Sequence, residues 1–108
     1  MKSDPIQPYL NLYREALLHR QLRLQTIRSY LFDVRQYLVW LARFDAVAPE
    51  AISKAEAEKY LDYLQTAPQQ IRPGVWRCYS RTTISRKIGV LADFYNVLHT
   101  GEHHELLP

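Results

Sequence analysis

Residues 26–41, TIRSYLFDVRQYLVWL, decide the fold. Ile27, Tyr30, Leu31, Val34, Tyr37, Leu38 and Leu41 recur at the 3.6-residue helical period and form one broad apolar stripe. Arg28, Ser29, Phe32, Arg35, Gln36 and Arg43 project on the opposite side. Phe32 and Val39 are apolar residues on that otherwise polar face, which points to contact with another helix or a partner. The helix is expected to fade near Phe44, before Asp45 and Pro49.

Outward from this helix the same period returns. Upstream, Tyr9, Leu10, Tyr13, Ala16 and Leu17 mark a helix from about Pro8 to Arg20, and Leu22 and Leu24 alternate with Gln21 and Arg23 in a short connector. Downstream, Ser53 and Glu56 have the spacing of a capping box, and Tyr60, Leu61 and Leu64 give the helix that follows a short apolar face. Pro68 prevents that helix from continuing. Thr66 to Tyr79 reads as a long loop with a tight turn at Pro73-Gly74. A fourth helix begins after Ser80, a good N-cap residue, with Ile84, Ile88, Leu91, Tyr95 and Leu98 as its core stripe, widened by Phe94. Thr82, Ser85, Arg86 and Gly89 fall opposite, Arg81 and Lys87 on the flanks, and Gly101 is placed to end the helix. No strand pattern competes, so the expected class is all-α.

A chain of 108 residues is one domain's worth, and residues 1–108 are read as a single unit. No apolar run approaches the roughly 18 residues of a membrane helix, and no signal-peptide core follows Met1, so no membrane partner and a cytoplasmic location are expected. Cys78 is alone, which excludes an internal disulfide and a cysteine-based zinc site. There is no phosphate-cradling glycine loop. Glu56 reads as a cap, Glu58 and Asp62 as helix surface. His103-His104 is the one metal-like cluster, but adjacent histidines point different ways on a helix, and no metal or cofactor is expected. Tyr13, Tyr30, Tyr37, Tyr60 and Tyr95 lie on apolar stripes and are expected to pack in the core with the hydroxyl at its edge.

Charge is unevenly placed. The net charge is +3, yet no acidic residue lies between Asp62 and Asp93, where Arg72, Arg77, Arg81, Arg86 and Lys87 all fall. Such a stretch is a footprint for phosphate or a solvated basic surface. Two helix starts share a design: Thr26-Ile27-Arg28-Ser29, and Ser80-Arg81-Thr82-Thr83-Ile84-Ser85-Arg86-Lys87. Short hydroxyls and free amides at a helix start suit phosphate oxygens, and an arginine one turn in can reach phosphates or guanine edges. For either helix alone, N-capping with solvated arginine explains the same residues.

Together the two segments resemble a known family. Thr26, Tyr30, Asp33-Val34, Tyr37 and Trp40-Leu41 follow the pattern of the core-binding domain of tyrosine recombinases of the phage integrase type. Ser80, Thr83-Ile84, Arg86-Lys87-Ile88, Leu91, Phe94-Tyr95 and Leu98, with Gly101 and Pro108, follow its second string. The resemblance spans roughly Leu10 to Pro108. The chain departs from the family pattern at Arg23, where a small polar residue is usual, at Val34 in place of leucine, and in a longer 66–79 loop that contains Trp76.

The resemblance implies a four- to five-helix orthogonal bundle of the SAM-like type. It implies binding of double-stranded DNA at a recombination half-site as the non-catalytic half of a C-shaped clamp, and assembly of full-length protomers into a synaptic tetramer. The family's chemistry, through a 3′-phosphotyrosyl bond, belongs to a separate catalytic domain. None of the eight tyrosines here matches the nucleophile's motif, so this chain is expected not to cut DNA. For groove contact the resemblance selects Thr26, Arg28, Ser29, Arg81, Thr82, Ser85, Arg86 and Lys87, with Leu12, Leu18 and Phe32 as candidates for contact between protomers. A helical protein-interaction domain with a basic face is the alternative. A helix-turn-helix repressor fits less well, since no two helices are joined by a short turn ahead of a basic second helix.

Overall fold

The computed structural model describes residues 5–43, 49 and 54–100, with no account of the side chains of residues 54–56. Four helices and one hairpin follow in chain order: α1 (Gln7–His19), α2 (Leu24–Ala42), α3 (Lys54–Thr66), β1 (Gln69–Arg72), β2 (Val75–Arg77) and α4 (Arg81–Thr100). The helical reading stands for every segment that carried a 3.6-residue stripe. The Ser53–Glu56 capping box, Gly101 and His103-His104 lie outside what is described.

Proline in the first turn of α1 costs no hydrogen bond, because amides there have no intrahelical partner. The helix ends where Gln21 takes a left-handed φ of 57° and its amide donates to the Leu18 carbonyl at 3.0 Å. Leu24, read from sequence as connector, is the first residue of α2 and is exposed.

The core lies where α1, α2 and α4 meet and α3 closes over α4 and the C-terminal half of α2. Tyr13, Ala16, Leu17, Val34, Leu64, Phe94 and Val97 are fully excluded from solvent. Aromatic rings join the elements edge to face: Tyr13 with Phe94, Tyr37 with Tyr60 and with Tyr95. The Tyr37 and Tyr95 hydroxyls bond each other, as expected for rings whose polar ends reach the core's edge. Tyr60 departs from that expectation. Its hydroxyl is buried with no hydrogen-bond partner among the described residues, and burial pushes its ionisation up.

Two sequence expectations are corrected. The segment 66–79 is not a loop throughout but holds an antiparallel hairpin, with Gln69 opposite Arg77, Gln70 opposite Trp76 and Arg72 opposite Val75. The turn falls at Pro73-Gly74 as expected. Gly74 has a φ of +79°, the conformation that a Pro-Gly type II turn requires at its third residue. The register is irregular between Gln70 and Arg72, just ahead of that turn.

The second correction concerns α4. Its buried residues are Lys87, Val90, Leu91, Phe94 and Val97, while Ile84, Ile88, Tyr95 and Leu98 are only half-buried. The helix is therefore rotated from the stripe read in the sequence, toward the side carrying Val90 and Val97. Lys87 sits in the middle of the true arc.

Candidate nucleic-acid interface

The starts of α2 and α4 differ in construction. At α4 the Ser80 hydroxyl accepts a hydrogen bond from the Thr83 amide at 3.2 Å, so the expected cap is formed. At α2 the cap position is Arg23, in extended conformation, and it gives no side-chain cap. Neither first turn contains an acidic residue, so nothing opposes the positive end of either helix dipole.

Of the eight residues selected from sequence, Arg28, Arg81, Thr82, Ser85 and Arg86 are exposed, and Thr26 and Ser29 are half-buried. Lys87 is buried, at 2% exposure, and has no open path to a phosphate. Its ammonium donates to Asp33 Oδ1 at 2.8 Å and to Gln36 Oε1 at 2.8 Å. The rings of Phe32 and Tyr79 stand over it, 5.2 and 4.7 Å from the nitrogen to the centroids. Lys87 is thus an internal cation rather than a surface contact. Phe32, a candidate for contact between protomers, spends one face covering it although the residue is largely exposed.

Asp33 organises this part of the molecule. Its side chain is fully buried, and the oxygen that binds Lys87 also accepts from Arg86 Nη2 at 3.1 Å. Its other oxygen has no hydrogen-bond partner among the described residues. The Arg86 side chain remains 48% exposed. One carboxylate in the middle of α2 therefore ties a buried lysine and a surface arginine in the N-terminal half of α4. Gln36 extends the network by donating to the Tyr79 hydroxyl at 2.9 Å, just ahead of α4.

Beside Arg86 lies a cleft of about 270 Å³ lined by Arg20, Tyr30, Gly89, Val90 and Asp93 as well. Arg20, at the end of α1, forms two parallel hydrogen bonds to Asp93 at 2.9 and 3.1 Å, and the buried Tyr13 hydroxyl donates to the same carboxylate at 2.7 Å. Partial burial works to raise the Asp93 ionisation, but the bonds from Arg20 and Tyr13 outweigh it and hold the carboxyl below its usual range. Tyr13 is pushed the other way, first by burial and then by its bond to Asp93.

Sequence reading missed Asp33, Gln36, Tyr79 and Arg20. The first had a detectable signal: at about 100° per residue, Asp33 on α2 falls between Tyr37 and Trp40 on the buried arc. Likewise Lys87 falls between Leu91 and Phe94 once Val90 and Val97 are counted. A carboxylate and an ammonium on two facing apolar arcs are natural partners. Arg20 is exposed and Asp93 half-buried at the edge of the core, and nothing local pairs them.

Among the described residues no group of histidine, cysteine and acidic side chains could hold a metal, and no helix is long and apolar enough to cross a membrane. The class is that of a small, mostly helical domain with cationic, acid-free helix starts on its surface. The model of the phage integrase N-terminal SAM-like domain matches residues 9–104, and the chain belongs to that family. Phage integrases are tyrosine recombinases, so a general role beside DNA follows from membership. Comparison with curated proteins and with solved structures gives no match.

Proposed function

We propose that this chain is the non-catalytic, DNA-gripping half of a site-specific tyrosine recombinase, a single domain across residues 1–108 that places the starts of α2 and α4 in the major groove of a half-site. The observation that carries the reading is the posture of Arg86. It stands half-exposed one turn inside α4, beside exposed Thr82 and Ser85, with its guanidinium held by a carboxylate that is itself pinned by Lys87. An arginine pre-positioned in this way loses less freedom on forming two parallel hydrogen bonds to guanine. Arg28, Arg81 and Thr82 are placed for phosphate, where contacts position the protein without reading sequence. Strand cleavage, and the contacts of a synaptic tetramer, belong to the full recombinase.

The test is a set of titrations on the cognate half-site and its single-base variants at one salt concentration, with an acidic protein as control. Arg86→Ala is expected to flatten the ranking of base variants at one or two positions, a loss of about 1–3 kcal/mol of discrimination. Thr82→Ala is expected to weaken specific and unrelated duplexes alike. If Arg86→Ala lowers affinity uniformly, Arg86 grips only backbone, and readout passes to Arg28 or Ser29.

One observation favours protein contact further along α2. Phe32, Val39, Trp40 and Tyr63 line a groove of about 270 Å³ rimmed by Arg35 and Arg43. It begins at Phe32, one turn beyond Arg28 and Ser29 on the same face of α2, and runs toward the C-terminal end of the helix, away from its start.

A further inference from the structure

We infer that the β1–β2 hairpin is a second duplex-binding element, gripping the DNA backbone beside the groove occupied by α4. The inference rests on the proposed DNA reading and extends it to residues outside the helix starts: Arg72, Trp76 and Arg77.

A two-stranded hairpin is marginal by itself, so its orientation depends on what holds its base. Here the base is tied at three places. The Cys78 thiol donates to the Thr66 carbonyl at 3.6 Å, closing the hairpin onto the end of α3. Tyr79 is bonded to Gln36 and stacked over Lys87, which fastens the exit strand to α2 and α4. Gln69 reaches the groove between α2 and α3, and it and Val75 are half-buried. The hairpin is anchored to the same buried network that positions Arg86.

What it shows to solvent has no internal purpose. Trp76 is 60% exposed and Ile71 52%, an unusual cost for side chains of that size. Arg72 and Arg77 are exposed beside them. Strand pairing puts the exposed Trp76 and Gln70 on one face, and Arg72 and Arg77, also exposed, on the other beside the half-buried Val75 and Gln69. No acidic residue lies anywhere between Asp62 and Asp93, so the hairpin offers an exposed ring on one face and exposed arginines on the other. That suits a partner with negative charge and apolar edges that the hairpin can enter edge-on. A duplex offers both, in its phosphates and its sugar edges.

Reach agrees with this occupant. Arg77 and Arg81 are four positions apart, so their Cα atoms lie within about 14 Å, roughly the rise of four base pairs. A hairpin there meets backbone flanking the α4 contacts.

The experiment compares the chain with three variants, Arg72→Gln/Arg77→Gln, Trp76→Ala and Arg28→Gln/Arg81→Gln, with folding of each checked by circular dichroism. Each is titrated with half-site duplexes of increasing length across a salt series and footprinted with hydroxyl radicals. The hairpin arginine pair is expected to cost roughly 10-fold in affinity and to flatten the slope of log affinity against log salt by about 1.8. Trp76→Ala is expected to cost several-fold, and both hairpin variants to lose protection at one flank alone. Hairpin variants that keep wild-type affinity, slope and footprint, while Arg28→Gln/Arg81→Gln binds poorly, overturn the hairpin inference and leave the helix-start reading intact. The reverse pattern overturns the helix starts and keeps the hairpin. If the unaltered chain binds no duplex at low salt, both fall. If Trp76→Ala instead turns a dimer into a monomer by light scattering and leaves DNA binding unchanged, the hairpin joins copies of this chain and the inference is wrong.

Discussion

Lys87 has left water almost completely, and its ammonium depends on Asp33 and Gln36 for partners. Removing one member of a buried pair leaves the other charge uncompensated, which costs about 3–5 kcal/mol. Asp33→Ala is therefore expected to destabilise the fold by that amount in urea titrations. Asp33→Leu combined with Lys87→Met is expected to recover most of it, since an apolar pair of similar volume needs no partners. Arg86 behaves differently because half of it is in water. Arg86→Ala is expected to cost under about 1 kcal/mol, against about 2–5 kcal/mol for Leu91→Ala at the core. Equal losses would make Arg86 a structural residue. Gly89 gives a third test. It lies inside α4 on the exposed face, and a Cβ there would meet nothing within 4 Å. Gly89→Ala is thus expected to raise stability by up to about 1 kcal/mol. If the duplex backbone passes over this position, the same change weakens DNA binding, and melts and titrations on one variant separate the two effects.

Among the elements, helices with one-sided stripes were legible in the sequence, and two-sided features were not. Residues 26–41 show a single apolar arc, of which α2 buries Ile27, Val34, Tyr37, Leu38 and Leu41, with Tyr30 and Leu31 half-buried. In α4 apolar residues cover so wide an arc that periodicity leaves its centre open, and packing against Asp33 chose the rotation that buries Lys87. The hairpin was hidden because its strands span four and three residues, too short for alternation to declare itself, although the Pro-Gly turn was plain. The exposed candidates Arg28, Arg81, Thr82, Ser85 and Arg86 were visible as the polar side of each helix; Asp33 was visible only as a charged residue on a buried arc. The α1–α4 clasp was invisible, since Arg20 and Asp93 are 73 positions apart. That clasp sets an acid limit. The Asp93 carboxyl ionises below its unfolded range, so its stabilisation is complete above about pH 4 and is lost as pH falls through the depressed folded value. Asp93→Asn is expected to lower stability at pH 7 by about 1–2 kcal/mol. Melts of the two proteins should converge only in strong acid; a gap that stays constant down to pH 2 would show that the carboxylate's charge is not what holds α1 to α4.

For the molecule as a whole, the question is how its charge meets a duplex. The net charge is only +3, so attraction at long range is weak and binding depends on where the cations stand. Exposed Arg28 and Arg81 at the helix starts, with Arg72 and Arg77 on the hairpin, are the cations assigned to phosphate, and Arg86 is assigned to a base. Each phosphate neutralised contributes about −0.9 to the slope of log affinity against log salt, so four contacts give a slope near −3.6. Counting Lys87 as a fifth would give about −4.5. The difference is measurable, and one variant isolates it. Asp33→Leu/Lys87→Met removes the buried cation while keeping the fold, so its slope should equal that of the unaltered chain. Base discrimination in that variant should nevertheless decline, because Arg86 loses the carboxylate that holds it. A slope flattened by about 0.9 in the double variant would mean that Lys87 leaves its pocket to meet a phosphate. The buried network would then be a feature of the free protein alone, and Arg86 would enter the groove without the support assigned to it here.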